Sequence, residues 1–401
     1  MKIGIIKERK NPPDRRVVLS PKKCKEILKE YPQLAIKVES SDIRVFSDED
    51  YIKQGIEVVN DVSDCDVLLG VKEVPIEDLI PNKSYFFFSH TIKKQPYNRK
   101  LLNAILDKNI KLYDHETIVD KNNLRLVAFG RYAGIVGAYN GLRTYGLKTA
   151  SFEMPKAEVL HNQQELIDEM KKVKLPNIKV VLTGKGRVGN GSKEMLEGME
   201  MREVNVNEFL NETFNEPVFV QIDALDYNIR KDGFVKGFND FFSHPGAYES
   251  NFMRFAKKAD LYIAGHFYGD GAPYIFSRED AKHPDFKIKV VADISCDIDG
   301  PVASTLRASS IADPNYGYSP SEEKEIDFLN EEAIAVMAVD NLPCELPRDA
   351  SKGFGDSFAD YVIPSFFNND EDGVLKRAQI TGKGKLKRRY KYLQDYVDGK
   401  E

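Results

Sequence analysis

The sequence predicts an α/β protein that consists of two doubly wound domains with mainly parallel sheets. The chain has 401 residues, which is too long for one small domain and suits two domains of ordinary size. Short β-rich runs alternate with helical stretches in two blocks, the first over about residues 1–130 and the second from about Asn177. Such alternation is typical of βαβ units, whose strands pair in parallel.

The first block contains six candidate strands and two candidate helices. One helix begins at Pro21, which suits a first helical position after the capping residue Ser20. The predicted helices are Pro21–Lys29 and Tyr97–Asp107. The predicted strands are Lys2–Ile6, Leu34–Val38, Asp66–Gly70, Ser84–Phe88, Ile110–Tyr113 and Leu124–Phe129.

A glycine-rich helix and a second series of strands follow. The helix is predicted over Gly134–Lys148 and contains four glycines, which indicate close backbone packing or, alternatively, a local weakness in helix propensity. The tail, Gly384–Tyr396, is predicted as a basic helix with a solvated charged face. The predicted strands are Ile178–Thr183, Arg202–Val206, Val218–Asp223, Asp260–Ala264, Lys289–Asp293 and Ala333–Val339.

Composition and charge exclude several classes of protein. Apolar residues make up 42% and charged residues 30%, the balance of a globular chain rather than of a disordered or fibrous one. The net charge of −5 provides no basic excess, so no nucleic-acid partner is expected. No apolar run approaches the ~18–20 residues of a membrane span. Because Lys7–Lys10 interrupts the first apolar run, we also expect no signal peptide and no membrane partner.

The four cysteines are scattered along the chain, at Cys24, Cys65, Cys296 and Cys344. They form no CxxC pair and have no histidine at metal-binding spacing, so we expect neither a metal site nor a disulfide framework. This usage favours a reducing cytoplasm. Whether two of the cysteines meet in space is left open by the sequence.

A GxGxxG motif provides the strongest local signal, with Gly184, Gly186 and Gly189 as its glycines and Arg187 and Val188 between them. An apolar strand precedes the motif and a helical stretch follows it, which is the order that a dinucleotide-binding loop requires. The glycines permit the tight turn, the approach of a pyrophosphate and close helix–strand packing. A chance glycine-rich turn is the alternative.

The sequence leaves the choice between NAD and NADP open. An acid is expected about 20 residues after the motif if the ribose 2′-hydroxyl of NAD is to be held. Asn205 stands near that spacing and is neutral, so it is compatible with a ribose hydroxyl or with a 2′-phosphate, and Glu208 comes late.

Polar clusters follow four segments of the first block, at the edge where parallel sheets bind ligands. These clusters are Arg15-Arg16, Lys72-Glu73, Ser89-His90 and Asp114-His115-Glu116. Lysine and histidine are candidate general acids and bases, and arginine binds carboxylates in a bidentate manner. The alternatives are a surface ion pair, a strand-end histidine without chemistry and a solvated arginine.

Several stretches of the first block match the motifs of a known family, namely Lys2–Glu8, Arg16–Pro21 and Gly70–Glu73. The first two resemble the opening of the alanine dehydrogenase and transhydrogenase superfamily. The third resembles the lysine–glutamate element of its saccharopine dehydrogenase branch, as found in lysine-forming saccharopine dehydrogenases. Other stretches are similar to the lysine–2-oxoglutarate reductase half of bifunctional aminoadipic semialdehyde synthases. These stretches are Phe87–Lys93, Val127–Gly134, Ala292–Ser295, Val339–Pro343 and Arg389–Leu393.

The resemblance implies a role for each matching position. Lys72 and His90 would form the acid–base pair, and Glu73 and Glu116 would tune it. Substrate carboxylates would contact Arg16, Arg125 and Lys93, and Asp293 would lie near the nicotinamide. Cys296 stands where a small residue is expected.

The resemblance also implies the architecture and the reaction. We expect a substrate domain over residues 1–132, completed by 335–401, and an inserted Rossmann-like dinucleotide domain over 133–334, with an interdomain cleft. The expected activity is NAD(P)-dependent interconversion of saccharopine with lysine and 2-oxoglutarate. An alanine-dehydrogenase-like or other opine-type enzyme and an inactive NAD(P)-binding regulatory subunit are the alternatives. Small amino-acid and keto-acid substrates are the expected partners, and a homodimer is compatible with the sequence.

Overall fold

The structure is a computed structural model that describes residues 1–400, and these divide into two compact units. Unit 1 comprises Met1–Phe129 together with the segment that begins at Pro347, and unit 2 comprises Gly130–Leu346. The second boundary lies later than position 335 because the strand Ile334–Met337 pairs with Val290–Asp293 inside unit 2.

The N-terminal part of unit 1 forms a six-stranded parallel sheet. Its strand order is β3-β2-β1-β4-β5-β6, so the direction of winding reverses between β1 and β4. The strands are β1 (Lys2–Ile5), β2 (Ala35–Glu39), β3 (Glu57–Val59), β4 (Val67–Leu69), β5 (Ser84–Phe87) and β6 (Lys111–Asp114). The helices are α1 (Pro21–Glu30), α2 (Asp48–Ile52) and α3 (Arg99–Asp107).

Apolar runs explain why these strands form the centre of the sheet. All three residues of β4 are buried, as are Tyr85, Phe86 and Phe87 of β5, which is typical of strands covered on both faces. The predicted strand Leu124–Phe129 is wrong. Asp120 accepts the N–H groups of Asn122 and Leu124 in a turn, and only an isolated bridge forms between Val119 and Arg125. The short strand β3 was not predicted.

Unit 2 contains a second sheet of eight strands, in the order β15-β14-β16-β13-β12-β7-β9-β8. The strands from β16 to β8 pair in parallel, and β14 and β15 are antiparallel. The first half of the unit contains α4 (Gly130–Thr149), α5 (Gln163–Lys172), β7 (Lys179–Thr183), α6 (Arg187–Gly198), β8 (Arg202–Glu203), α7 (Val206–Asn211), β9 (Val218–Ile222) and α8 (Ala224–Tyr227). The second half contains β10 (Asn228–Arg230), α9 (Phe238–Ser243), β11 (Tyr248–Ser250), α10 (Met253–Ala256), β12 (Leu261–Ala264), α11 (Arg278–Lys282), β13 (Val290–Asp293), β14 (Asn315–Ser319), β15 (Lys324–Ile326) and β16 (Ile334–Met337).

The glycines of α4 serve close packing, as predicted. A Cβ atom at Gly134 would lie 1.9 Å from the carbonyl oxygen of Val188 on α6. At Gly137 it would lie 2.4 Å from the Ile294 side chain, and at Gly141 2.8 Å from Ala292. Because these distances are far below van der Waals contact, the helix can approach α6 and β13 only without side chains at these positions.

The C-terminal segment returns to unit 1 and differs from the prediction. It contains α12 (Pro347–Tyr361), α13 (Val374–Ala378), the two-stranded β17 (Thr381–Gly382) and β18 (Lys385–Leu386), and α14 (Gln394–Asp398). The predicted helix Gly384–Tyr396 is therefore wrong. Lys383 and Gly384 both have positive φ and form the hairpin turn, and Arg388–Leu393 is a 3₁₀ segment. Tyr390, Leu393 and Tyr396 still face the core, where they join Leu101, Leu102 and Ile105 of α3.

Within residues 1–400, no helix has both the length and the hydropathy of a membrane-crossing segment. Over the same residues, no group of three or more histidine, cysteine, aspartate and glutamate side chains is placed to hold a metal ion. The four cysteines are free thiols.

Candidate active site

The predicted polar clusters of unit 1 lie together at the carboxyl ends of β1, β4, β5 and β6. Glu73, which follows β4, and His90, which follows β5, are in direct contact: the Glu73 Oε1 to His90 Nδ1 distance is 2.5 Å. Glu73 Oε2 also accepts a hydrogen bond from Lys10 at 2.8 Å. Burial would raise the pKa of Glu73, but the hydrogen bonds from His90 and Lys10 outweigh it and lower the pKa to about 2. Glu73 is therefore a carboxylate that orients the His90 ring.

The backbone of Lys72 is bonded to a residue that was not predicted as part of the site. The carboxyl group of Glu8, which follows β1, accepts the backbone N–H groups of Val71 and Lys72 at 2.7 and 2.8 Å. Burial, helped by the nearby Asp14 charge, raises the pKa of Glu8 to about 8 despite these two hydrogen bonds. Glu8 thus ties the loop after β4 to the end of β1, and with it the position of Lys72.

Arg16 lies in a buried ion pair with Asp14. Its Nη2 atom donates to Asp14 Oδ2 at 2.6 Å and its Nε atom to Oδ1 at 3.0 Å. The guanidinium stands 4.2 Å from the centre of the Phe129 ring, and only 4% of the residue is exposed. Burial opposes the charge on Asp14, but Arg16 and then Lys72 stabilise it, so the Asp14 pKa falls to about 2. Arg16 therefore already has a carboxylate partner within the protein.

Glu116 lies close to the other two residues that are predicted to bind a substrate carboxylate. Its Oε1 atom lies 3.4 Å from Lys93 Nζ and 4.0 Å from Arg125 Nη1. The side chain of Lys93 is 50% exposed and that of Arg125 is 38% exposed, whereas Glu116 is 15% exposed. Two accessible cations around one carboxylate leave a net positive charge at this position, which suits a carboxylate substrate.

Asp114 fixes the spacing of these groups. Its Oδ2 atom accepts the N–H and the hydroxyl of Ser89, and its Oδ1 atom accepts the N–H of Glu116. His115 has a different role, because it is fully buried and its Nε2 atom bonds the Gly70 carbonyl at 2.9 Å. Burial lowers its pKa to about 3. His115 is thus a neutral packing residue between β4 and β6.

The GxGxxG segment of unit 2 has the geometry of a phosphate-binding loop. Gly184 has φ +94°, and a Cβ atom at Gly189 would lie 1.9 Å from the Gly184 carbonyl oxygen, so both positions need glycine. A Cβ atom at Gly186 would meet nothing within 4 Å, so the second glycine faces open space. The 12-residue helix α6 begins directly afterwards at Arg187 and presents its free N–H groups there.

A cavity of about 600 Å³ adjoins this loop. Its wall includes Gly184–Val188, Asp223, Tyr227, Phe242 and Phe267. A dinucleotide fits this place, because backbone N–H groups, open space at Gly186 and aromatic walls are the features that its phosphates and bases need.

Asp223, which the sequence analysis did not select, follows β9, and β9 is the neighbour of β7 in the sheet. Its carboxylate lies 3.3 Å from Lys185 Nζ. The signal that could have found it is an acid at the carboxyl end of a predicted strand. Asn205 does not reach the loop, because it follows the edge strand β8 and its side chain caps α7 by accepting the N–H of Glu208.

Asp293 is fully buried at the end of β13 and is satisfied within the protein. It accepts the N–H and hydroxyl of Ser295, the N–H of Cys296 and the hydroxyl of Thr305. Burial raises its pKa, against these hydrogen bonds. Asp293 therefore stabilises the turn in which Cys296 has φ +52°.

The sequence of the chain is similar to those of several known proteins. The family model "Alanine dehydrogenase/PNT, N-terminal domain" matches residues 4–136. The mitochondrial alpha-aminoadipic semialdehyde synthase of Bos taurus is 28% identical over 100% of this chain and 48% of that protein. The chain spans about half the length of this relative. The lysine-forming, NAD⁺-dependent saccharopine dehydrogenase of Yarrowia lipolytica is 24% identical over 88% of both chains.

Solved structures show the same fold. An L-alanine dehydrogenase superposes with a TM-score of 0.67 at 19% identity, over 99% of both chains. A transhydrogenase from Sinorhizobium meliloti superposes with a TM-score of 0.61 at 14% identity, over 96% of this chain and 100% of that one. The predicted α/β fold with mainly parallel sheets is therefore confirmed, and the sequence matches fit the predicted resemblance to the alanine dehydrogenase and transhydrogenase superfamily, in its branch of saccharopine dehydrogenases and aminoadipic semialdehyde synthases.

Proposed function

We propose that this chain is an NAD-dependent oxidoreductase that interconverts saccharopine with lysine and 2-oxoglutarate. The observation that carries the proposal is the contact between Glu73 and His90 at the carboxyl ends of β4 and β5. Lys72 precedes Glu73 in the chain, and the accessible cations Lys93 and Arg125 lie at the same edge of the sheet. Proton-transfer groups and carboxylate-binding groups thus share one edge of the first sheet. The Yarrowia lipolytica relative, which matches 88% of the chain, is named as an NAD⁺-dependent, lysine-forming saccharopine dehydrogenase.

In the reductive direction, the ε-amine of lysine attacks the 2-keto carbon of 2-oxoglutarate, and the resulting carbinolamine loses water to give an imine. A nicotinamide cofactor held at the loop Gly184–Val188 would supply the hydride that reduces the protonated imine to saccharopine. The protein must take a proton from the attacking nitrogen and give one to the departing hydroxyl. His90 suits this exchange because Glu73 holds its Nδ1 atom, which leaves Nε2 for the substrate. The ammonium of Lys72 is the second proton donor.

The cations define the substrate class. Lys93 and Arg125 are accessible, whereas Arg16 is held by Asp14, so we assign the first contacts with a second substrate carboxylate to Lys93 and Arg125. One charge-assisted hydrogen bond is sufficient for a tenfold preference, which corresponds to ~1.4 kcal/mol. A dicarboxylic keto acid should therefore be preferred to pyruvate.

The position of Asp223 favours NAD over NADP. It stands at the carboxyl end of the strand next to β7, where an acid accepts the ribose 2′-hydroxyl of NAD and repels a 2′-phosphate. Lys185 stands 3.3 Å from this carboxylate and partly offsets its charge.

The deciding experiment measures the loss of NADH with lysine and 2-oxoglutarate, and in parallel with ammonia and pyruvate. We expect turnover that needs both lysine and 2-oxoglutarate. Faster turnover with ammonia and pyruvate would replace the proposal by an alanine-dehydrogenase-like activity. NADH binding without turnover of either pair would indicate a regulatory subunit. Lys72→Met should lower turnover with NADH affinity unchanged, and Lys53→Met, at an exposed lysine, is the matched control.

A further inference from the structure

The cavity beside the glycine-rich loop contains a histidine that none of the steps above uses. His266 follows β12, the other neighbour of β7, and it lies in the wall of this cavity with 8% of its surface exposed. A Cβ atom at Gly184 would stand 2.9 Å from the His266 Cα atom. The histidine is therefore in direct contact with the first glycine of the loop.

The ring is held from one side by two buried hydroxyl groups. His266 Nδ1 lies 3.1 Å from Thr183 Oγ1 and 3.4 Å from the Tyr262 hydroxyl, and these two oxygens are 3.0 Å apart. Thr183 and Tyr262 are fully buried, so each hydroxyl proton needs an acceptor within this triangle.

The triangle determines which ring nitrogen carries the proton. If Nδ1 were protonated, three protons would compete for two oxygens, and the two hydroxyls cannot donate to each other at once. One buried proton would then have no acceptor, which is costly. With Nδ1 as the acceptor, Tyr262 can donate to Thr183 and Thr183 to His266, and every group is satisfied. The proton therefore resides on Nε2.

His266 Nε2 is buried and has no hydrogen-bond partner among residues 1–400. Burial lowers the pKa of the ring to about 4, so the group is neutral at pH 7. The cavity wall thus holds a neutral N–H donor that the protein itself leaves unsatisfied, next to a loop whose N–H groups suit phosphate oxygens.

We propose that His266 Nε2–H donates a hydrogen bond to the pyrophosphate of the bound dinucleotide. The inference rests on the proposed function only in that a dinucleotide binds at the glycine-rich loop. The pyrophosphate is the part of that ligand which such loops hold, and His266 adjoins the first glycine of the loop. His266 would add a side-chain donor to the backbone donors of α6.

Two near-isosteric variants separate this role from a structural one. His266→Asn keeps an acceptor near Thr183 but removes the donor at the Nε2 position, and His266→Gln keeps a donor at the Nε2 position but removes the acceptor near Thr183. The probes are ADP-ribose, which contains the pyrophosphate, and 5′-AMP, which does not, titrated calorimetrically. We expect His266→Asn to weaken ADP-ribose binding about 10- to 100-fold and 5′-AMP binding less than about threefold. His266→Gln should stay within about threefold of the wild type for both.

Opposite results would overturn the inference. If His266→Asn bound ADP-ribose as the wild type does while His266→Gln lost affinity, the histidine would serve only the Thr183–Tyr262 contacts. Equal weakening of both probes by His266→Asn would show a general disturbance of the loop, and melting temperatures measured in parallel would reveal it. Failure of the wild type to bind ADP-ribose would overturn the inference together with the cofactor site. A lack of lysine-dependent NADH oxidation, with the expected binding pattern intact, would overturn the proposed reaction alone.

Discussion

Glu73 is the residue on which the proposed acid–base pair depends, and Glu73→Gln tests it directly. Its two carboxylate oxygens accept hydrogen bonds from His90 at 2.5 Å and from Lys10 at 2.8 Å. Glutamine has the same size and retains one acceptor oxygen, but it has no charge and presents an N–H₂ group in place of the second oxygen. The variant therefore removes the charge that pairs with His90 and Lys10 and places an N–H₂ group against one of them, without creating a cavity.

The size of the effect follows from the Glu73 pKa. His90 and Lys10 overcome the effect of burial and lower this pKa from 4.5 to about 2, a difference that corresponds to about 3 kcal/mol in favour of the charged form. A lowered carboxyl pKa stabilises the folded state above pH 4.5, and this contribution is lost as the pH falls towards 2. Because solvent screens the pair with Lys10, whose side chain is 41% exposed, Glu73→Gln should lower the free energy of unfolding by less than this, about 1–2 kcal/mol at pH 7, and by still less below pH 4.5.

The variant should also lower turnover. Loss of a positioned acid–base group typically lowers rates ~10²–10⁴-fold. We expect Glu73→Gln to lower the turnover of lysine with 2-oxoglutarate about 100-fold, with NADH affinity unchanged. The exposed Glu77, in the same segment, provides the matched control Glu77→Gln, which should change neither quantity.

A double variant makes the test sharper. If Glu73 acts through His90, then Glu73→Gln added to His90→Gln should cost little more than His90→Gln alone. Turnover of Glu73→Gln within threefold of the wild type, or fully additive losses in the double variant, would refute the assignment of these residues as one unit.

Three further changes test other parts of the structure. Gly186→Val places a side chain in open space, so the melting temperature should stay unchanged while NADH affinity falls at least tenfold in a titration; unchanged affinity would contradict the loop assignment. Asp223→Ser keeps a capping side chain for α8 but removes the charge, and the ratio of NAD⁺ to NADP⁺ affinity should fall at least tenfold; a constant ratio would remove Asp223 from cofactor selection. Burial raises the Glu345 pKa to about 7 despite its hydrogen bond from Asn140, so the folded state loses stability as the pH rises from 4.5 to 7. Glu345→Gln should therefore gain about 3 kcal/mol of unfolding free energy at pH 8 and less than about 1 kcal/mol near pH 5, and an equal gain at both values would contradict the raised pKa.

Most strands could be predicted because they are buried apolar runs that polar residues separate from one another. The predicted Lys2–Ile6 and Ser84–Phe88 differ from β1 and β5 by one residue at one end. The errors lie where side chains that bond the backbone override propensity. Asn205 and Glu208 form a reciprocal cap that starts α7 at Val206, so β8 is limited to two residues although Val204 and Val206 favour a strand.

The contact between Glu73 and His90 could be anticipated, because both residues follow neighbouring parallel strands whose carboxyl ends meet at one edge. The contribution of Glu8 could not. It depends on β1 lying next to β4, so that a carboxylate after β1 can accept the N–H groups of Val71 and Lys72. Sequence distance conceals such a contact, and only the strand order reveals it.

The same dependence on strand order applies to the proposed choice of cofactor. A search for an acid ~20 residues after the glycine-rich loop assumes that the next strand along the chain lies beside the first one. Here β8, which comes next, pairs only with β9 at the edge of the sheet, and β9 occupies the place beside β7. A ribose bound beside the glycine-rich loop would therefore be flanked by Asp223, at about twice that spacing, while Asn205 is displaced outward by one strand. Because electrostatic discrimination between a hydroxyl and a phosphate needs a charge at the neighbouring strand, the topology makes Asp223 the residue that should exclude NADP.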